Sequence, residues 1–169
     1  MSRKKGEVMK LKKLVTSSLA TLAIAVSVPC FAQIPSSIMM IGGLYIGQSF
    51  SEVVSVYGKP VAEREPAGRG MMYTFAKNGT TLNVRIVSDK VSEVTVNETN
   101  GPSTISGIKI GSTLEEVKKT YGNPDEEGRF GDDYVMDYKC KKNDEYTWIL
   151  SFTVKNGKVI RLSLDEVMN

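Results

Sequence analysis

Gly107-Ile-Lys-Ile-Gly-Ser-Thr-Leu-Glu-Glu-Val-Lys-Lys-Thr-Tyr-Gly-Asn-Pro124 has an ungapped counterpart earlier in the chain, Gly43-Leu-Tyr-Ile-Gly-Gln-Ser-Phe-Ser-Glu-Val-Val-Ser-Val-Tyr-Gly-Lys-Pro60. The offset is 64, and Ile41 and Ile105 extend the match upstream. An internal period of this length is the first thing to establish, because it sets the architecture. Each copy reads as one short helix. Ser49 with Glu52, and Thr113 with Glu116, have the spacing of a capping box, in which the hydroxyl accepts from the N3 amide and the glutamate reaches back to the cap amide. Phe50, Val53, Val54 and Tyr57, and then Leu114, Val117 and Tyr121, fall at helical spacing. Gly58 and Gly122 suit the positive φ of a helix exit, and Pro60 and Pro124 prevent continuation. Helices this short are marginal alone, so each apolar stripe needs a packing partner.

Strand patterns follow each helix. Met71 to Phe75, Thr80 to Val87 and Val91 to Val96 alternate, with Met71, Tyr73, Phe75, Leu82, Val84, Ile86, Val94 and Val96 on the inward parity. After the second helix, Tyr134 to Cys140, Tyr146 to Val154 and Val159 to Leu164 do the same, with Trp148, Leu150, Phe152, Val154, Ile160, Leu162 and Leu164 inward. Asn156-Gly157 is a strong two-residue hairpin signal. These later strands match the first set at an offset of 68. The expected fold is therefore α+β: two tandem helix-then-three-antiparallel-strand (αβββ) repeats, residues 33–97 and 104–169, joined by a polar linker at 98–103. Helices would cover one face of an antiparallel sheet, since one unit alone buries little surface. Residues 33–40 read as flexible up to the apolar Ile38-Met-Met-Ile41.

Residues 1–32 read as a signal peptide. Lys10, Lys12 and Lys13 precede the apolar Leu14 to Val28, and Cys30-Phe31-Ala32 offers small residues for cleavage after Ala32. The apolar run is shorter than the roughly 20 residues of a membrane span. The expectation is a secreted or periplasmic protein of a bacterial cell, with no membrane span after leader removal. The leader holds Arg3, Lys4, Lys5, Lys10, Lys12, Lys13 and Glu7, so removal takes the chain from 22 basic and 19 acidic residues to 16 and 18. The mature chain then has no basic footprint for nucleic acid. With Cys30 gone, Cys140 is alone and no intramolecular disulfide can form. Its strand parity with Tyr134, Met136 and Tyr138 makes it a small buried hydrophobe.

Catalytic chemistry has little to stand on. The chain has no histidine, the commonest general base, and no nucleophile motif. No catalytic residue, cofactor site or metal site is expected. Asp125-Glu-Glu-Gly-Arg-Phe-Gly-Asp-Asp133 clusters carboxylates without calcium-loop spacing, and its counterpart at 61–70 holds mixed charge with no matching carboxylate pattern. The outward strand parity is polar: Asn83, Arg85, Glu93, Thr95, Asp137, Lys139, Thr147, Ser151, Arg161 and Ser163, with Ile149 the apolar exception. A helix-free sheet face with one apolar anchor is the best candidate for docking another protein. The candidate contacts are Arg85, Glu93, Asp137, Lys139, Ile149 and Arg161, with the 61–70 and 125–133 loops and Phe130 between glycines.

The short capped helix ending in Tyr-Gly-x-Pro and preceded by Gly-x-x-Ile-Gly-x-Ser/Thr resembles the β-lactamase-inhibitor-protein-like superfamily, which includes the SmpA/OmlA (BamE) outer-membrane assembly lipoproteins. The tandem arrangement is most similar to the inhibitor. The resemblance implies an extracytoplasmic, non-enzymatic protein that binds other proteins. Two features depart from it: the inhibitors use disulfides, and the lipoproteins carry a lipidated cysteine on a single unit. The leading expectation is an exported protein-binding module; the alternative is an inhibitor of a secreted or periplasmic hydrolase such as a β-lactamase, with Phe130 as the inserting residue.

Overall fold

A computed structural model describes residues 34–169. The expected leader, its cleavage site and Cys30 lie outside the described residues. Among the described residues the fold is α+β, with two α-helices and one antiparallel eight-stranded sheet. In chain order, α1 (Phe50–Tyr57) is followed by β1 (Ala62–Arg64), β2 (Met71–Lys77), β3 (Thr80–Val87) and β4 (Lys90–Val96). Then α2 (Leu114–Tyr121) is followed by β5 (Glu126–Phe130), β6 (Asp133–Lys141), β7 (Tyr146–Lys155) and β8 (Lys158–Met168). The spatial order is β1-β2-β3-β4-β8-β7-β6-β5. Four strands thus follow each helix rather than three. The additional ones, β1 and β5, sit inside the stretches read from sequence as the 61–70 and 125–133 loops. Both are outer edges, where charged side chains are at home and apolar alternation is not required.

Both helices are capped as their sequences require. Ser49 and Thr113 accept from the amides of Glu52 and Glu116, whose carboxylates accept from the two cap amides. Gly58 and Gly122 leave the helices at φ 84° and 80°. Each helix entrance is also tied to the hairpin feeding the last strand of its half. The amides of Gly47 and Phe50 donate to the carbonyls of Val91 and Asp89; those of Gly111 and Leu114 donate to Val159 and Gly157. In return, Val91 and Val159 donate to Gln48 and Ser112.

Val53, Tyr57 and Val117 enter a core with Phe75, Leu82, Val84, Val94, Val96, Met136, Tyr138, Leu150, Phe152, Leu162 and Leu164. The N-terminal stretch departs from the flexible expectation upstream of its apolar run, where Ile34 is buried and Ser36–Ile38 form a 3-10 turn. Ile34, Met39 and Ile41 are buried in the same core, and Ile41 bridges to Thr104, so the linker is pinned as well. Ile160 was expected inward but is 38% exposed, because Val154 pairs with Val159 and Thr153 with Arg161, making Ile160 the extra residue of a β-bulge. The same irregularity occurs at the matched position of β4: Ile86 pairs with Val91 and Arg85 with Glu93, leaving Ser92 over. Trp148 packs only partly against the core and donates its indole N–H to Glu166 at 3.1 Å. Cys140 is free and buried, and burial pushes its thiol pKa up, away from the reactive thiolate.

Candidate functional site

The strand registers assemble the helix-free face row by row. Ala62, Thr74, Asn83, Thr95, Ser163, Ser151, Asp137 and Glu126 are successive partners across all eight strands. One row over run Arg64, Met72, Arg85, Glu93, Asp165, Ile149 and Lys139. The first row is mostly short side chains, and its centre lies low: Thr95 is 4% exposed and Ser163 8%. Longer charged side chains stand beside it. The face is therefore a polar trough running across the strands, floored at its centre by the Thr95 and Ser163 hydroxyls.

The centre of the trough has an internal relation. Thr95 and Ser163 are matched positions by sequence, and they are also partners across the β4–β8 seam. Val94 pairs with Leu164 and Val96 with Leu162, which is the pattern of a local two-fold axis through the Thr95–Ser163 pair. Around it the charges are fixed. Glu93 accepts from Arg85 Nε on Oε2 at 2.8 Å and from Thr95 Oγ1 on Oε1 at 2.8 Å, and Arg161 Nη2 lies 4.0 Å from Oε1. Ser151 donates to Asp137 at 2.6 Å, and Lys139 pairs with Glu126. Asp165 faces Glu93 across the seam. Burial pushes its carboxyl up to about 6; the Glu93 charge adds to that, while the Ser163 hydrogen bond and the Arg161 and Arg85 charges oppose it.

Of the candidates read from sequence, Arg85, Glu93 and Arg161 converge on the middle of the trough. Asp137, Lys139 and Ile149 lie on the same face toward the far edge. Lys139 is four strands from Arg85, about 19 Å at about 4.8 Å per strand. Phe130 is not among them: it ends β5 at the tip of the β5–β6 hairpin, 75% exposed. Ile149 is half-buried rather than a lone exposed anchor, and Met72, Val135 and Val167 share its face. Asp165 was missed. The alternation that places Arg161 and Ser163 outward carries on to it, but the expected strand ended at Leu164 whereas β8 runs to Met168. The carboxylates of the 125–133 stretch do not gather. Glu126 goes to Lys139, Glu127 to Tyr134 and Lys118, and Asp133 to Lys155 at 3.7 Å. Among the described residues no group of three or more acidic or cysteine side chains is placed to hold a metal ion.

No protein-family model matches the chain, and no curated protein matches it. Solved structures share the fold. A cysteine-rich secretory protein from Staphylococcus aureus superposes with a TM-score of 0.54 at 14% identity, over 79% of this chain and 48% of that one. An extracellular protein containing an SCP domain from Bacillus anthracis superposes with a TM-score of 0.51 at 11% identity, over 94% of this chain and 50% of that one. The chain spans about half the length of each. At these identities the likeness is one of fold alone. A protein from Streptococcus mutans proposed to be a β-lactamase inhibitor aligns at 19% identity over 73% of this chain and 83% of that one, but its TM-score of 0.31 is too low to carry an argument. No helix among the described residues is long and apolar enough to cross a membrane.

Proposed function

We propose that this chain is an exported, non-enzymatic protein-binding module of the bacterial envelope or secreted fraction, built from two copies of one helix-and-strands unit, and that it grips a partner along the trough. The trough is the observation that carries the reading. It is a helix-free face eight strands wide, with the Thr95 and Ser163 hydroxyls buried at its centre and Arg85, Glu93 and Arg161 grouped beside them. Fixed charges of both signs around a pre-formed floor suit recognition by electrostatic complementarity. The reading of export rests on the leader and is supported by a fold shared with an extracellular and a secretory protein. The duplicated reading is supported by the matched caps, bulges and entrance hydrogen bonds.

The test uses photo-crosslinking residues placed at Ser151 or Arg161 in the trough, or at Lys119 on α2, in protein exposed to envelope and culture-fluid fractions. Capture of one defined protein from the trough positions alone is the expected result. Capture from Lys119 alone, or from none, overturns it.

A second reading, inhibition of a secreted hydrolase such as a β-lactamase, is favoured by one observation: a phenylalanine left 75% exposed at a hairpin tip. Such a side chain is suited to filling a cleft. Inhibition by the wild type that is lost on Phe130→Ala supports it, and a wild type that inhibits no hydrolase removes it.

A further inference from the structure

A cleft of about 480 Å³ opens beside the trough, at the strand ends where β3 turns into β4, next to the start of β7 and the end of β8. Its volume is in the range of small-ligand sites, roughly 300–1,000 Å³. Arg69, Arg85, Lys90 and Lys142 line it, against the single carboxylate of Glu166, with Ser88, Ser92 and Tyr146 between them. Two of these cations already hold a carboxylate: Arg85 with Glu93 at 2.8 Å and Lys142 with Glu166 at 3.1 Å. Arg69 and Lys90 form no ion pair among the described residues, although Lys90 is within electrostatic reach of Glu52.

The backbone on either side of Arg69 lies close against β3. Gly70 sits at φ 83° so close to β3 that a Cβ there would collide with the Ile86 carbonyl and with Val87. On the other side, a Cβ at Gly68 would lie 3.5 Å from Arg85 Nη1. Arg69 and Arg85, from different segments, thus line the same cleft. The fold does not require this. At the end of the sheet related by the local two-fold, the positions matched to Arg85 and Ser92 are Thr153 and Ile160, and of the four cations only Lys90 is matched by another, Lys158.

We propose that this cleft binds a compact anion of two or more charges, of the pyrophosphate type. Guanidinium forks donate to two phosphate oxygens at once, while Lys90 and Lys142 supply point charge and the hydroxyls supply neutral donors. The site lies beyond the protein-docking reading and does not depend on it, since the titration below contains no partner protein.

The experiment is calorimetric titration of the purified chain with inorganic pyrophosphate and, separately, with linear polyphosphate, at two ionic strengths. Saturable binding that weakens with salt is expected. Arg69→Gln and Lys90→Gln should each weaken it about tenfold and the pair about a hundredfold, with Arg69→Lys intermediate. Lys158→Gln should bind as wild type. Tighter binding of the polymer, with pyrophosphate competing, places the group on a chain; tighter binding of pyrophosphate makes it a free anion. Absence of saturation by either probe at millimolar concentration overturns the proposal. So does an equal loss in Lys158→Gln, which would report net charge rather than a site.

Discussion

The two halves have the same frame and different fillings. Matched helices carry the same capping box, leave through glycines of nearly the same φ, and dock on matched hairpins through the same amide-to-carbonyl bonds. Beneath them the side chains part ways. Tyr57 Oη donates to the Gly42 carbonyl at 2.7 Å, whereas the hydroxyl of its counterpart Tyr121 is buried with no partner among the described residues. Tyr121 instead lies between Tyr138 and Phe152, with ring centroids 5.4 and 5.3 Å away. On the open face Glu93 is matched by Arg161, Arg85 by Thr153, and Asp165 by Asn97. Backbone geometry that a short helix needs in order to dock is the same in both halves; the two surfaces that meet solvent or ligand are not.

The largest expected difference between the halves lies in the core. Position 152 is Phe and its match, position 84, is Val; both are fully buried. Phe152→Ala should lower unfolding free energy by about 3–5 kcal/mol and Val84→Ala by on the order of 2 kcal/mol, read from urea midpoints. Equal losses would mean that the second half relaxes around its cavity and that the aromatic stack contributes no rigidity.

Next in size is Asp165. Its folded-state pKa is raised from 3.8 to about 6, so between those values the folded chain binds more protons than the unfolded chain. Stability should therefore rise as pH falls from about 7 to about 5, by on the order of 1–2 kcal/mol. Glu52, Glu116 and Glu127 act in the opposite sense, because their pKa values are lowered from 4.5, so their contribution is lost only at lower pH. Asp165→Asn should be more stable than wild type at pH 7 and should flatten the rise. A rise that persists in the variant would assign it to another group.

These differences mark what a reader of the sequence is able to see. The helices were legible because each is bounded by residues whose side chains act locally: a hydroxyl, a glutamate three positions on, a glycine. The inner strands were legible because alternation is a local signal. What escaped depends on partners. Ala62–Arg64 and Glu126–Phe130 become strands only because β2 and β6 offer them an edge. The bulges at Ser92 and Ile160 belong to a pair of strands and leave no mark in either one. Asp165 was hidden by ending a strand where its apolar alternation stopped. The basic cleft draws Arg69, Arg85, Lys90 and Lys142 from separate segments, so no single window contains it.

The caps give a smaller effect and predict equality rather than difference. Ser49→Ala and Thr113→Ala should each cost about 1 kcal/mol. A clear inequality would show that one helix depends more on tertiary docking than on its own cap.

The tyrosines give the smallest effect and the sharpest contrast. A Cβ at position 42 would collide with the Tyr57 hydroxyl, so Gly42 is what lets that hydroxyl reach a carbonyl. The matched position is Ser106, and Tyr121 has found no acceptor. Removing a satisfied hydroxyl loses a hydrogen bond and leaves a carbonyl with one partner fewer, whereas removing an unsatisfied one relieves a desolvation cost. Tyr57→Phe should therefore destabilise by about 0.5–1.5 kcal/mol, and Tyr121→Phe should be neutral or stabilising. The same thermal melts, run on both variants, decide it: a loss at Tyr121 as large as at Tyr57 would mean that its hydroxyl is satisfied in solution, and the halves would be alike here after all.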